Sequence, residues 1–312
     1  MRSMHPGVGQ PSIMDAADNE SPAIISVCDL MWVANSPSLL AVSAETTSTD
    51  THNEVSSIAS DQPSLNQSEI DAGHLQDFLT KNPHNSVGRY FESLVYYWIK
   101  YVRGLEVLVC NEQIKRAGRT IGEIDLIFRD EQDRLIHWET AVKFFLHFPQ
   151  PHSLSSDYVG PNSCDNLDRK INHLFGHQLK QSLDGPINTD FHEAFVRGCI
   201  FYHPSNPFPD RKHSRLHAAH LRGRWIHSSE VKELRQTGSW NYRLMRKPHW
   251  LAMTPNQMPA ISSMEIDRWV EQQFEHSDRP VMLCMDRSTG SMDGAVDRIM
   301  IVSDQWPAHS KK

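Results

Sequence analysis

The stretch GEIDLIFRDEQDRLIHWETAVKFF, residues 122–145, decides how the rest of the chain is read. It divides into an apolar run, Ile124 to Phe128, a turn too charged to be buried, Arg129 to Arg134, and a second run, Leu135 to Phe145. Apolar runs on either side of a polar turn predict two adjacent strands. Both runs carry charge inside the apolar sequence: Asp125 in the first, Glu139 and Lys143 in the second. A carboxylate in an otherwise buried strand is costly unless a cation or a hydrogen bond compensates it. Two acids and a lysine on neighbouring strands are suited to holding a hard divalent ion against phosphate oxygens and activating a water.

Working outward, Asn85 or Ser86 is placed to cap a helix from Val87 to about Arg103–Gly104, with Phe91, Leu94, Val95, Trp98 and Val102 on its buried face. Glu92 borders that face, either as part of a site or simply pairing with Arg89 or Lys100. Leu105 to Cys110 reads as a strand, followed by a polar strand or hairpin through Arg119. Beyond the loop Pro149 to Ser163, Asp165 to Leu183 predicts a second helix, built on Leu167, Ile171, Leu174, Phe175 and Leu179 and stopped by Gly185-Pro186. Val196 to Tyr202 predicts a further strand. Helix, three strands, helix, strand is an α/β layout, a mixed central sheet flanked by helices.

The rest of the chain divides around this core. Residues 1–20 lack periodicity and read as a flexible tail. Residues 21–67 hold an N-terminal helix and turn within Ile24 to Val42, then an acidic Ser/Thr-rich linker; residues 68–203 form the core. Residues 204–312 are an α+β extension packed on it, closing with a capping box, Ser262 to Glu265, a helix through Phe274, and strands Val281 to Met285 and Arg298 to Val302. Between Arg211 and Lys247 this extension is strongly basic, with only Glu230 and Glu233 as acids, and Trp225, Trp240, Tyr242 and Trp250 are interleaved. Such a segment either tracks a phosphate backbone and stacks bases, or supplies core aromatics beneath a solvated basic face. His213, His217 and His220 have a zinc-like spacing, but no carboxylate or cysteine lies in the same run.

The formal charge of −7 is uneven: residues 1–80 hold one basic residue and eleven acids, a balance of −10, so the remainder sums to +3. An overall negative charge therefore does not exclude a nucleic-acid partner. Five scattered cysteines without a CxxC pair argue against a disulfide framework and a cysteine-built zinc site, and for the cytoplasm. No apolar run approaches the ~18 residues of a membrane span, and no export signal is recognised. There is no GxSxG elbow, P-loop or GxGxxG motif to support a serine hydrolase or a nucleotide-binding fold.

GEIDLIF followed by a short turn and LIHWETAVKFF resembles the metal-dependent PD-(D/E)XK nuclease superfamily. The longer pattern, with IISVCDLMWVANSPSLL, VGRYFESLVYYW, HWETAVKFFL, YVGPNSCDNLDRKINHLFGHQL and DRIMIVSDQWP, is similar to the bacterial family called domain of unknown function 1853. The resemblance implies a restriction-endonuclease-like α/β core and a Mg²⁺- or Mn²⁺-dependent nuclease acting on nucleic acid, a fold in which many enzymes work as homodimers. By position it implies Asp125, Glu139 and Glu92 as metal ligands and Lys143 as the water-orienting residue. On the second helix it implies Lys170 and Gln178 as contacts to the substrate backbone, where His173 and His177 read equally as solvated residues. The chain departs from the pattern at the second acid: acid-x-Lys spacing falls on Ala141, two residues after Glu139. Positions 139, 141 and 143 share a strand face, but Glu139 starts ~6.6 Å further away at ~3.3 Å per residue. A β-bulge or the longer Glu side chain recovers part of that gap, or Glu123, on Asp125's face, supplies the ligand. The departure also raises the alternative of a catalytically inactive nuclease-like protein that binds nucleic acid or a protein partner.

Overall fold

The computed structural model describes residues 22–41, 64–84, 86–116, 118–149, 156–179, 187–207, 213–234, 240–287 and 296–307. The expected tail of residues 1–20 and most of the expected linker lie outside them, as do Arg211, Lys212 and Arg235 of the basic segment.

Ten strands form one mixed sheet. They are β1 (Val107–Arg116), β2 (Arg119–Arg129), β3 (Leu135–His147), β4 (Tyr158–Val159), β5 (Phe191–Tyr202), β6 (Leu221–His227), β7 (Trp240–Met245), β8 (Ala260–Ile261), β9 (Val281–Arg287) and β10 (Asp297–Val302). The order across the sheet is β1-β2-β3-β5-β6-β10-β9-β7-β8, with β4 paired to the end of β3. β3, β5, β6 and β10 run parallel in the middle, and antiparallel pairs close both sides. Parallel strands covered on both faces read as continuous apolar runs, and β5 is buried from Ala194 to Tyr202. β6 and β7 were not anticipated as strands: Leu221, Gly223 and Trp225 alternate with Arg222 and Arg224, so the basic segment is in part a sheet element.

Six α-helices are described: α1 (Pro22–Asn35), α2 (Ala72–Lys81), α3 (Val87–Tyr97), α4 (Leu167–His173), α5 (Val231–Leu234) and α6 (Ile266–His276). α3 starts where expected, on Ser86, whose side chain accepts the Arg89 N–H, and runs into a π-turn at Trp98–Val102. Its Phe91, Leu94, Val95 and Trp98 pack with α1, α2, Leu126, Phe128, Trp138 and Phe195 on one face of the sheet. Trp138 stacks on Phe195 with centroids 4.6 Å apart, and Phe128 meets it edge-on at 4.9 Å. The other face belongs to α4, whose Leu167, Ile171 and Leu174 pack with Phe145, Val196, Ile200 and Tyr202. Beyond β6 the same alternation continues: Ile299 and Ile301 face α5 and α6, while Met300 and Val302 face Trp225, Trp250 and Trp306.

The two halves of the chain are locked together at Asp29 of α1, which is fully buried. Its carboxylate accepts from Tyr90 Oη of α3 at 3.0 Å and the Ala252 N–H at 2.8 Å, and lies 2.9 Å from His249 Nδ1. All five cysteines are free. Among the described residues no helix is long and apolar enough to cross a membrane.

Candidate functional site

The site arises where β2 peels away from β3. Their ladder runs from Arg129↔Leu135 to Leu126↔Trp138 and stops there, while β2 stays paired to β1 and β3 to β5. The next pair would set Asp125 against Glu139. Instead the Asp125 side chain takes over the missing backbone bond: its Oδ2 accepts the Thr140 N–H at 2.8 Å and lies 3.4 Å from Thr140 Oγ1. Among the described residues nothing donates to Oδ1. The wedge is closed by the start of α3 on one side and by α4 with its terminal π-turn, Leu174–Gln178, on the other. The result is a cleft of about 440 Å³.

Of the expected residues, Asp125, Glu92, Lys143, Lys170 and Gln178 line this cleft, together with Glu123 and Arg89. Burial pushes the Asp125 carboxyl up to about 7, with Glu139 adding repulsion and the Thr140 bond opposing. Glu92 is also pushed up to about 7, by burial first and then by Asp125. Burial holds the Lys143 ammonium below its ordinary value, and neighbouring Lys170 adds to the shift. Neither ammonium group makes a hydrogen bond or ion pair among the described residues.

Arg89 is the residue that sequence reasoning placed too modestly. Its Nη1 pairs with Glu92 at 2.9 Å, as the simpler reading of Glu92 expected, but also with Glu123 at 3.2 Å. One exposed guanidinium thus bridges two acids from α3 and β2 and partly neutralises the cleft wall.

Glu139 is not on the cleft wall. It is 1% exposed, with Oε1 3.0 Å from His137 Nε2 and Oε2 accepting from Gln178 Nε2 at 2.9 Å. Burial pushes its carboxyl up to about 8, against the pull of Lys170. His137, two residues earlier and therefore on the same face, lies 3.2 Å from His192 Nδ1, and His192 Nε2 lies 3.1 Å from Thr189 Oγ1. Burial holds both imidazoles down to about 4. Gln178 is fixed from its other end by His173 Nδ1 at 3.0 Å. The period-two spacing of His137 and Glu139 was visible in the sequence; His192 was not, because its place follows from the β3–β5 register alone.

The remaining candidates resolve differently. His213 pairs with Asp168 at 2.8 Å, while His220 lies between the His217 carbonyl and Tyr202 Oη, so the three histidines do not converge. Trp225, Trp240, Tyr242 and Trp250 are all buried, so of the two readings of this segment its aromatic residues follow the second: they are core. Arg224 pairs with Asp297 at 2.7 Å. Among the described residues, no three His, Cys, Asp or Glu side chains are grouped to hold a metal ion. A Mg²⁺ ion does not require three: it is commonly held by one or two carboxylates, with waters and substrate phosphates completing the shell. Asp125, with a free Oδ1, and Glu92 fit that smaller donor set; burial first, and then neighbouring carboxylates, raises both.

The family model for a domain of unknown function, DUF1853, matches residues 28–302. No curated protein and no solved structure matches the chain.

Proposed function

The chain belongs to the DUF1853 family, and for this member we propose a restriction-endonuclease-like, metal-dependent phosphodiesterase that acts on nucleic acid. The single observation that carries the reading is the wedge between β2 and β3. There Asp125, Glu92 and unpaired Lys143 line one cleft, in the helix–strand–strand order of the PD-(D/E)XK pattern. Asp125 and Glu92 would hold Mg²⁺ or Mn²⁺, with Glu123, which lines the same cleft, a further carboxylate once Arg89 releases it. When bound, such an ion polarises a phosphoryl oxygen and lowers the pKa of a coordinated water. Lys143, desolvated and free of a carboxylate partner, orients the attacking water and meets the charge that develops on phosphorus. Lys170, on the facing helix, neutralises substrate phosphate. Glu139 has a different part here from that of a ligand: through Gln178 it fixes the π-turn of α4 against β3, and so sets the width of the cleft.

A second reading, a catalytically inactive nuclease-like protein that binds nucleic acid or a protein partner, is favoured by Ala141 at the usual acid position and by the hydrogen bonds that occupy Glu139. Cleavage assays separate the two. With labelled DNA and RNA and Mg²⁺ or Mn²⁺, the wild-type chain is expected to cut. Asp125→Ala and Lys143→Ala should lower the rate by at least about 10²-fold while keeping the circular-dichroism spectrum. Full activity in both variants, or cutting that persists in chelator, rejects the enzyme; site-specific heat on Mn²⁺ titration is expected only if the metal site exists.

A further inference from the structure

The cleft does not end at Lys143. A second groove of about 340 Å³ shares Ser86, Val142 and Lys143 with it and continues along β3 past Phe144 and Phe145. Its far wall comes from two places distant in sequence: the Gly160–Asp165 turn before α4, and Lys247 with Trp250 from the C-terminal half. We infer that this groove is a second phosphate subsite, in which Lys247 holds a backbone phosphate of a nucleic-acid strand whose reacting phosphate lies at Lys143. The inference rests on the phosphodiesterase reading for the reacting phosphate, but the anion-binding role of Lys247 stands on its own observations.

Charge is the first of them. The Lys247 ammonium makes no hydrogen bond or ion pair among the described residues, and partial burial first, then nearby Arg279, disfavours its charged form. Lys143 and Lys170 repel each other in the same way at the other end. The facing carboxylate in the groove is Asp165, which acts on Lys143 and whose Oδ1 is engaged by the Asn166 N–H at 2.9 Å. A concave strip with unpaired ammonium groups at both ends attracts an anion with more than one charge.

Preorganisation is the second. The Lys247 ammonium sits 4.4 Å from the centroid of Trp250, a ring that is itself buried and tied through Nε1 to the Met245 carbonyl at 2.9 Å. That contact holds a long side chain at the groove's rim before any ligand arrives. The opposite turn is also fixed: the Gly160 N–H donates to the Asp165 carbonyl at 2.8 Å and the Ser163 N–H to the Gly160 carbonyl at 2.8 Å. Between the two charged ends the floor is Val142 and Phe144, against which the sugar linking two phosphates can rest. The basic segment thus contacts nucleic acid through one lysine aimed at the cleft, while its tryptophans stay in the core.

The test is fluorescence anisotropy of short labelled single-stranded DNA and RNA on the full chain in chelator, where cleavage is excluded. Lys247→Gln is expected to weaken binding of at least one of them roughly 3- to 10-fold and to lower the slope of log affinity against log salt by about one. Lys247→Arg is expected to restore both. Lys247 is exposed, and its substitution should leave the melting temperature unchanged. Wild-type affinity and salt slope in Lys247→Gln overturn the subsite, whether or not the protein cuts; so does failure of the wild-type chain to bind either strand. Lys247-dependent binding by a chain that cuts nothing upholds the subsite and rejects the phosphodiesterase.

Discussion

Asp125 and Glu92 share the wedge, and burial pushes both up to about 7, while Glu139 behind them is pushed up to about 8. In the unfolded chain such carboxyls titrate near 4. Because the folded pKa values are raised, the stability these groups contribute is complete below about pH 4. It is lost as pH rises through about 7 for Asp125 and Glu92 and about 8 for Glu139. Asp125→Asn keeps an oxygen to accept the Thr140 N–H but cannot ionise. It is expected to leave the melting temperature unchanged near pH 4 and to raise it by a few degrees near pH 8 in chelator. Magnesium added near pH 8 should raise the wild-type melting temperature and leave that of the variant alone, since a ligand stabilises only the state that binds it. Thermal scans at the two pH values check both halves; a shift of equal size at each would mean that Asp125 is not the strained acid described.

At the scale of elements, the position of Lys143 depends on how closely β5 approaches β3. Gly198 lies opposite Lys143 in the parallel ladder, and a Cβ built on it would sit 1.9 Å from the Lys143 carbonyl oxygen. Its φ of +156° adds a backbone conformation that side chains rarely adopt. Gly198→Ala must therefore push β5 off β3 beside the cleft. It is expected to destabilise by roughly 3 kcal/mol, read from the urea midpoint. Gly176→Ala, in the α4 π-turn with nothing within 4 Å of the added carbon, should move the midpoint little. A wild-type midpoint in Gly198→Ala would show that the strands have room to separate. The same two strands show what a sequence can and cannot yield. Phe91, Leu94, Val95 and Trp98 announced α3, and the polar turn announced β2 and β3, because periodicity is a local signal. The position of Glu139 follows from Gln178, 39 residues further on, and that of Gly198 from a ladder between segments more than fifty residues apart; neither contact leaves a local trace. β6 carried a readable alternation, Leu221, Gly223, Trp225, but the arginines between them drew attention to charge before period.

Across the whole molecule, the core expected at residues 68–203 and the extension after it share one sheet. The Cys199–Tyr202 end of β5 pairs with β6, so a chain ending at Pro207 would expose a buried parallel strand along its backbone edge. It would also strip Asp29 of His249 and the Ala252 N–H, leaving a fully buried carboxylate with Tyr90 alone. The same cut removes Arg298, a buried guanidinium that donates to the Trp250 and Leu251 carbonyls, and with them the wall of the second groove. Hydrophobic area alone would not recover these losses, because the apolar face that Leu146, Cys199 and Phe201 turn toward Trp225 and Met300 would meet water instead. The truncated chain is therefore expected to unfold without a cooperative transition and to bind a dye that reports exposed apolar surface, where the full chain gives one sharp transition. Far-ultraviolet circular dichroism on heating, with dye fluorescence alongside, makes the comparison. A sharp transition in the truncated chain would establish residues 1–207 as a unit that folds without the C-terminal half. The cleft would then be the property of that unit, with the C-terminal half an addition to it rather than a condition of its shape.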